Sequence, residues 1–264
     1  MTDTDHADEL LYEERDGIGW ITLNRPHARN SMTFAMYERL AEICEGANGS
    51  KTLKALVITG AGEKAFAAGT DISQFRAFKT EKDVFDYEAR IDRVLEAVET
   101  VRQPTLAAIS GACTGGGAAI AACCDLRIGA ASTRIGYPVA RTLGNTLSMN
   151  NFARLKDLIG SARAKELIFT ARLMQADEAL ALGLLTEILP DHDALMTRAD
   201  ELARHLASMA PLTLQAAKTA FLRLQVRMPK GAGEDLVRLC YNSNDFREGM
   251  EAFLAKRPPQ WTGT

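Results

Sequence analysis

The sequence lacks an excess of basic charge and has no apolar run long enough to span a bilayer. Its 264 residues include 31 lysines and arginines against 34 aspartates and glutamates, so the formal net charge is −3. Without a broad basic field, nucleic acid is not an expected partner. Residues 1–16 are polar and acidic, unlike a secretory signal, and transmembrane helices need roughly 20 consecutive apolar residues. We therefore expect a cytoplasmic protein that does not enter a membrane.

Cysteine and histidine are also scarce. The five cysteines are odd in number and lie mostly in apolar segments, which is typical of reduced thiols in a protein core. Adjacent Cys123 and Cys124 lack the spacing of zinc ligands and have no histidine nearby. No serine or cysteine accompanies the histidines in a triad-like arrangement; they are His6, His27, His192 and His205. We expect neither a metal site nor a catalytic triad.

A run of three glycines lies between a predicted strand and a predicted helix, in residues 107–125 (AAISGACTGGGAAIAACCD). Gly115, Gly116 and Gly117 place no Cβ at this turn, so another group can approach the backbone closely. The first N–H groups of a helix have no partner within it, and the helix dipole favours negative charge there. The pattern predicts half of an oxyanion hole, a site that stabilises negative charge on a reacting oxygen.

A second glycine turn lies upstream, in residues 65–72 (AFAAGTDI). It follows the predicted strand 55–59 and leads into a helix that we expect to begin near Asp71. The turn again places a glycine, Gly69, directly before a helix start. The sequence therefore predicts the second half of the oxyanion hole here.

Hydrophobic periodicity predicts an α/β organisation. Strand formers on both sides of Asp16-Gly17 predict a hairpin over residues 10–23, and helical spacing follows over 34–47. Short predicted strands alternate with helices, a pattern typical of stacked ββα units with parallel strands. These strands cover residues 54–59, 105–110 and 126–128.

After Met149 the sequence is almost entirely helical. Pro211 suits the first position of a helix, and Pro258-Pro259 would end the last one. The predicted helices cover residues 161–170, 177–182, 191–209, 211–226 and 233–256. A flexible loop is predicted over residues 228–233. We predict a core over residues 1–195 and a helical extension over 196–264.

In their order and spacing, these motifs resemble the crotonase superfamily, also called the enoyl-CoA hydratase/isomerase family. Matching segments span nearly the whole chain: Asn24-Arg25-Pro26 with Asn30, residues 125–128 (DLRI), residues 176–185 (ADEALALGLL) and residues 248–253 (EGMEAF) before Lys256-Arg257. The resemblance implies a crotonase-like α/β fold, a spiral of ββα units with a helical C-terminal extension. It also implies that the extension assembles the chains into a homotrimer or homohexamer.

The resemblance implies an acyl-CoA substrate whose thioester carbonyl lies between two backbone N–H groups, here those of Thr70 and Gly116. Coenzyme A is part of the substrate, so no separate cofactor is expected. The places that match CoA-binding positions are Arg25, Ala28, Ala68, Asp71, Ile72, Phe253 and Lys256. Phe253 and Lys256 would close over the nucleotide, in their own subunit or in a neighbouring one. Asp71 is also interpreted as support for a helix start, and Asp125 as structural.

The sequence departs from the family where hydratases carry two catalytic glutamates. The first place falls at Ala119 and the second at Val139 or Ala140, and none of these side chains can take up a proton. A third place, an aspartate in other members, falls at Leu147 or Ser148. The usual addition of water through two carboxylates is therefore not expected. The expected acyl pocket consists of Ala119, Val139, Ala140, Gly144 and Asn145.

Other polar residues have less specific interpretations. The helix after the first turn carries residues that we interpret as a solvated face, although some crotonases recruit a tyrosine or histidine from this region. These residues are Tyr87, Glu88, Arg90, Asp92 and Arg93. Asn150 and Asn151 are interpreted as helix caps.

Three hypotheses about function follow. The first is an acyl-CoA enzyme with a non-standard acid–base set, such as an isomerase, a decarboxylase or a hydratase of an unusual enoyl group. The second is a thioester binder with weak or vestigial catalysis. The third is an oligomeric scaffold built on the helical extension.

Overall fold

The computed structural model describes residues 8–225, 229 and 231–264. His6, the predicted helix end at residue 226 and two loop residues, 228 and 230, lie outside the described residues. The strands are β1 (Leu10–Arg15), β2 (Ile18–Leu23), β3 (Ala55–Gly60), β4 (Ala65–Ala67), β5 (Thr105–Ile109), β6 (Ala112–Thr114), β7 (Leu126–Ala130), β8 (Arg134–Gly136), β9 (Met174–Gln175) and β10 (Glu187–Leu189).

The α-helices are α1 (Phe34–Ala47), α2 (Glu81–Thr100), α3 (Gly116–Cys123), α4 (Val139–Thr142), α5 (Met149–Thr170), α6 (Ala176–Ala181), α7 (His192–Ser208), α8 (Pro211–Leu224), α9 (Glu234–Tyr241) and α10 (Asn244–Leu254). Two 3-10 helices cover Pro26–Ala28 and Ile72–Ala77. No helix of the described ranges is both long and apolar enough to cross a bilayer.

Two sheets form the centre of the fold. The larger sheet has the strand order β1-β2-β3-β5-β7-β10, and the smaller one has the order β4-β6-β8-β9. Strand β1 pairs antiparallel with β2, while the other neighbours in the larger sheet are parallel. The turn between β1 and β2 has positive φ at Asp16 and Gly17, the backbone that a tight hairpin turn requires. The predicted hairpin is confirmed.

The chain repeats one path through the two sheets. Strands β3 and β4 lead towards α2, β5 and β6 lead to α3, and β7 and β8 lead to α4 and α5. In the smaller sheet β4 pairs in parallel with β6 and β6 with β8, whereas β9 pairs antiparallel with β8. The predicted spiral of ββα units is confirmed. Because β4 and β6 run in the same direction, the glycine turns that follow them emerge side by side.

Helix packing buries both faces of the larger sheet, which explains the continuous apolar run of β3. On one face, α7 packs through Leu195 and Ala199 against a cluster that includes Ile18 and Trp20. On the other face lies the main core, to which α1, α2 and α3 contribute. Leu195 and Ala199, which lie on either side of the predicted boundary, thus both pack on the core sheet. The boundary between a core over residues 1–195 and an extension over 196–264 stays a prediction.

Helix α1 covers the predicted residues, whereas α5 begins earlier than expected. The predicted helix 161–170 is the second half of α5, which bends at Gly160, where φ is 76°. The cap of α5 is Ser148, whose Oγ accepts the Asn151 N–H. The interpretation of Asn150 and Asn151 as caps was wrong, because the residue before Met149 already supplies the hydroxyl.

The predicted helix 233–256 consists of two helices, α9 and α10. The Ser243 hydroxyl accepts the Phe246 N–H at 2.9 Å and starts α10 in a new direction. Helix α9 then packs on α2, and α10 packs on α4 and the 3-10 helix Ile72–Ala77. The break therefore folds the end of the chain back over the first glycine turn.

Asp125 is structural, as predicted. Its Oδ2 accepts hydrogen bonds from the backbone N–H and the hydroxyl of Thr105, at 2.7 and 2.9 Å. The same oxygen lies 2.8 Å from Nζ of Lys218 on α8. This ion pair connects α8 to the residues at which β5 and β7 begin.

Candidate active site

The first glycine turn is held rigidly by backbone hydrogen bonds. Gly69 has a φ of 96°, a conformation that favours glycine. Its carbonyl accepts the Met32 N–H, and the Asp71 N–H donates to the Met32 carbonyl, both at 2.8 Å. Thr70 forms its hydrogen bonds through its side-chain hydroxyl, to the hydroxyls of Tyr37 and Tyr87. The backbone N–H of Thr70 is thus available to a ligand.

Asp71 supports the start of a helix, as predicted. Its Oδ1 accepts the Ser73 N–H at 3.1 Å and caps the 3-10 helix Ile72–Ala77, while Oδ2 lies 3.0 Å from Arg25. Burial opposes ionisation of this carboxyl, but the hydrogen bonds from Ser73 and Arg25 prevail and lower its pKa.

The second glycine turn begins α3. Gly115 has positive φ and precedes the helix, and the first helical bond runs from the Ala119 N–H to the Gly115 carbonyl at 3.0 Å. The N–H of Gly116 lies before that bond and has no partner within α3. The positive end of the helix dipole lies at the same place. Gly116 can therefore donate to a negatively charged oxygen.

The two turns are packed against each other through their glycines. A Cβ on Gly115 would lie 3.5 Å from Cα of Gly69. A Cβ on Gly116 would overlap the Tyr37 hydroxyl, and one on Gly117 would overlap the Ala67 carbonyl. The triple glycine is therefore a requirement of close packing, as well as of access to the backbone.

Both turns open into one cavity of about 170 Å³. Of the predicted site residues, it is lined by Thr70, Gly116, Ala68, Ile72, Phe253, Ala119, Val139 and Asn145. Helices α9 and α10 of the same chain close this cavity with Tyr241 and Phe253. The structure thus brings together the two glycine turns and most of the expected acyl pocket.

Other predicted residues lie elsewhere. Ala140 and Gly144 line a separate cavity beneath the C-terminal residues, where a Cβ on Gly144 would lie 3.3 Å from the Trp261 ring. The single-turn helix α4 presents Val139 but not Ala140 to the cavity at the two glycine turns. Lys256 is exposed beyond the end of α10.

Arg25 and Ala28 lie behind the first turn and do not line its cavity. The Arg25 guanidinium is held between Glu9 and Asp71, at 3.1 and 3.0 Å. Ala28 ends a 3-10 helix, and the next carbonyl, that of Arg29, accepts the Ala68 N–H at 3.0 Å. The side chain of Arg25 is thus committed to ion pairs within the chain.

Three hydroxyl groups form a network beside the first turn. The Thr70 hydroxyl lies 3.0 Å from the Tyr37 hydroxyl and 3.1 Å from that of Tyr87. Burial raises the pKa of both tyrosines, that of Tyr37 to about 12. Both phenols are neutral at physiological pH, so they fix the turn without carrying charge.

Glu88 contributes the one carboxyl group among the described residues that line this cavity. Its Oε1 accepts a hydrogen bond of 2.7 Å from the Tyr241 hydroxyl, which accepts one of 3.2 Å from Nδ2 of Asn145. The Glu88 side chain lines this cavity and also a neighbouring one of about 710 Å³, and protein surrounds the carboxyl group. Burial raises its pKa to about 7, although the Tyr241 hydrogen bond acts in the opposite direction.

The interpretation of α2 as a solvated face is therefore wrong for Tyr87 and Glu88. It is confirmed for Arg90 and Arg93, which are partly exposed and pair with Glu38 on α1. A signal was present in the sequence, because Val84, Glu88 and Ile91 recur at helical spacing along the buried stripe of α2.

The residues at which the resemblance leads us to look for carboxylates line the cavity without carrying charge. Ala119 is 4% exposed on α3, Val139 begins α4, and Leu147 and Ser148 lie before α5. The Ser148 hydroxyl donates to Asp92 at 2.8 Å. In the described ranges, no group of three or more histidine, cysteine, aspartate or glutamate residues could hold a metal ion.

A spiral of ββα units with a helical C-terminal extension defines a crotonase-like α/β protein. A family model for enoyl-CoA hydratase/isomerase matches residues 13–264. The chain belongs to the enoyl-CoA hydratase/isomerase family.

Individual relatives agree with this assignment. The chain is 31% identical over 252 residues to the short-chain-enoyl-CoA hydratase of Clostridium acetobutylicum, covering 94% of this chain and 95% of the relative. It is 31% identical over 261 residues to the human mitochondrial methylglutaconyl-CoA hydratase, covering 96% of this chain and 76% of the relative. A crystal structure of an enoyl-CoA hydratase/carnithine racemase from Magnetospirillum magneticum superposes with a TM-score of 0.79 at 32% identity, covering 97% of this chain and 96% of that one.

Proposed function

We propose that the protein is an acyl-CoA enzyme that stabilises a thioester enolate between the backbone N–H groups of Thr70 and Gly116. The observation that carries the proposal is the packing of Gly69 against Gly115, which places both turns at one cavity. Donors fixed in this way stabilise charge as it develops, without reorganisation. Family membership supports the same substrate class.

The reaction we propose is not hydration by two carboxylates. At the usual places the cavity presents a methyl group at Ala119 and an isopropyl group at Val139, and neither transfers a proton. A reaction that moves one proton at the carbon next to the thioester fits this lining better. Isomerisation of an enoyl thioester belongs to that class.

The CoA portion is proposed to leave the cavity past the first turn. Ala68 and Ile72 line this side, and Phe253 from α10 is half exposed there. Lys256 follows α10 and is free to approach the nucleotide phosphates. Arg25 does not contact the CoA portion in this proposal. Its ion pair with Asp71 stabilises the first glycine turn.

A homotrimer or homohexamer is part of the proposal. Helix α8 has no buried residue, and Leu212, Phe221 and Leu224 on it are more than two-thirds exposed. Large apolar side chains grouped on one helix are typical of a surface that is covered in the assembled protein. Further copies of the chain, as the resemblance implies, would cover this face.

Calorimetry with acetoacetyl-CoA tests the proposal, because its thioester can form the enolate that the turns would stabilise. We expect specific binding by the parent protein and much weaker binding by Gly116→Pro, which lacks the N–H. Free CoA is the matched control for the acyl group. Absence of binding across short and long acyl thioesters, with the parent folded, would refute an acyl-CoA enzyme and favour a scaffold.

A further inference from the structure

We propose that Glu88 is the catalytic acid–base residue of this enzyme, in place of the carboxylates missing at positions 119 and 139. The proposal rests on the proposed binding of an acyl thioester in the same cavity. Glu88 lines that cavity together with Thr70 and Gly116. A proton carrier must border the space where the substrate reacts, and the Glu88 side chain is among those that line this cavity.

The position of Glu88 is fixed relative to the oxyanion turn. The preceding residue, Tyr87, lies 3.1 Å from the Thr70 hydroxyl through its own hydroxyl. This contact joins α2 to the first turn at the residue next to Glu88, and both Tyr87 and Glu88 line the cavity. The capping box of Thr80 and Asp83 fixes the start of the same helix. Glu88 is therefore carried on a rigid element.

A chain of donors orients the carboxyl group. Asn145 donates to the Tyr241 oxygen, and the Tyr241 hydroxyl donates to Oε1 of Glu88. Successive hydrogen bonds of this kind polarise one another. Only Oε1 is used in the contact with Tyr241, so the second carboxyl oxygen is available for proton transfer.

The charge surroundings allow Glu88 to gain and lose a proton near neutral pH. Burial and the nearby Asp92 raise its pKa, and the Tyr241 hydrogen bond lowers it, with a result of about 7. Tyr37 from α1 and Tyr87 from α2 also face the carboxyl group, but their own pKa values are raised, so they stay neutral. An acid–base group works best when its pKa lies near the operating pH.

A single carboxylate suffices for moving a double bond along an acyl chain. The Glu88 carboxylate takes the proton from the carbon next to the thioester carbonyl of a 3-enoyl-CoA, and the C–H electron pair enters the dienolate. The negative carbonyl oxygen is held by the Thr70 and Gly116 N–H groups. The Glu88 carboxyl then returns its proton to the fourth carbon, which leaves the double bond between the second and third carbons. No water or redox partner is consumed.

The test follows 3-enoyl-CoA isomerisation, through the absorbance of the conjugated product, with deuterium uptake from D₂O as a second readout. Glu88→Gln keeps the size of the side chain but carries no transferable proton. We expect it to bind the thioester like the parent and to lose at least about 100-fold in turnover. Asp86→Asn is the matched control, because Asp86 is an exposed carboxylate of the same helix that pairs with Lys82. This variant should keep the parental rate.

The pH profile adds a readout that a structural role would not move. The parental kcat/KM should rise with pH through an apparent pKa of about 7, as Glu88 ionises. Tyr241→Phe removes the hydrogen bond that lowers this pKa, so its profile should shift to higher pH. This variant keeps the inference falsifiable even where Glu88→Gln does not fold.

The outcomes separate the two proposals. Parental turnover by folded Glu88→Gln, or a pH profile that does not move in Tyr241→Phe, would overturn the role of Glu88 alone. Binding of the thioester by the parent without isomerisation or deuterium uptake would also overturn that role, while acyl-CoA binding would stand. Absence of thioester binding by the parent would overturn both.

Discussion

The Tyr37 hydroxyl occupies the space that a side chain at position 116 would need. A Cβ there would overlap the hydroxyl, whereas the next ring atom, Cζ, would lie 3.3 Å away. Tyr37 is fully buried and bonded to Thr70, so it cannot easily move aside. The tyrosine therefore links the identity of residue 116 to the geometry of both oxyanion turns.

Gly116→Ala keeps its N–H, but its Cβ would overlap the Tyr37 hydroxyl and displace the turn, so turnover should fall by up to about 100- to 1,000-fold, as much as the loss of an oxyanion-hole donor costs. Tyr37→Phe removes the overlapping hydroxyl, so the double variant should recover part of the rate. Steady-state kinetics on the best acyl-CoA substrate would measure both. Equal rates for Gly116→Ala and the double variant would show that the overlap with Tyr37 does not matter.

Thr70→Ala should keep turnover close to the parental value, because its backbone N–H remains. It should destabilise the fold by about 1–3 kcal/mol, since two buried tyrosine hydroxyls lose a partner. Urea denaturation would measure this loss, and Thr70→Ser is the control that retains the hydroxyl. A folded but inactive Thr70→Ala would show that the threonine side chain is needed, either for the chemistry or for the contact with Tyr87 that positions Glu88.

Hydration of crotonyl-CoA should be slow, below the turnover of about 10 per second that is typical of enzymes. The reason is that Ala119 and Val139 stand where two carboxylates are expected. The absorbance of the enoyl thioester at saturating substrate would measure the rate. A rate at or above that value would mean that the water is activated by other groups.

Glu88 should make the folded protein less stable as pH rises. Its pKa is raised to about 7 in the folded chain from 4.5, so between these pH values the unfolded chain releases a proton that the folded chain retains. The free energy of unfolding should fall by up to about 3 kcal/mol across this window. Urea denaturation of the parent and Glu88→Gln at several pH values would isolate this contribution. Parallel pH curves would contradict it.

Phe221→Lys should shift the assembly towards single chains. The side chain of Phe221 is 71% exposed on α8, and a charge at that place would have to be desolvated in an interface. Sedimentation would measure the mass of the particle, with Arg223→Lys on the same helix as a charge-conserving control. An unchanged mass would remove α8 from the proposed interface.

The fold could be predicted from the sequence because its signals are local. The hairpin turn, the triple glycine and the helical stripe of α1 each need only a few neighbouring residues, and the structure contains all three. The break at Ser243 was missed, because a serine within a helical pattern does not reveal that it caps a new helix.

The candidate site depends on contacts between distant segments, and these could be predicted only in part. The two glycine turns follow from matching motifs, but the hydrogen bond between Glu88 and Tyr241 joins residues 153 positions apart. Spacing alone also could not decide between Val139 and Ala140, because the orientation of the short helix α4 depends on what packs against it.

Tyr241 and Phe253 reach the cavity from the end of the same chain that supplies the glycine turns. If chains exchanged between oligomers, each chain would therefore keep its own Tyr241 and Phe253 at its own cavity. In assemblies mixed from active chains and chains inactivated at Gly116, activity should follow the fraction of active chains. A chain inactivated at Gly116 and another inactivated at Tyr241 should not complement each other, since neither would hold a complete set of groups around one substrate.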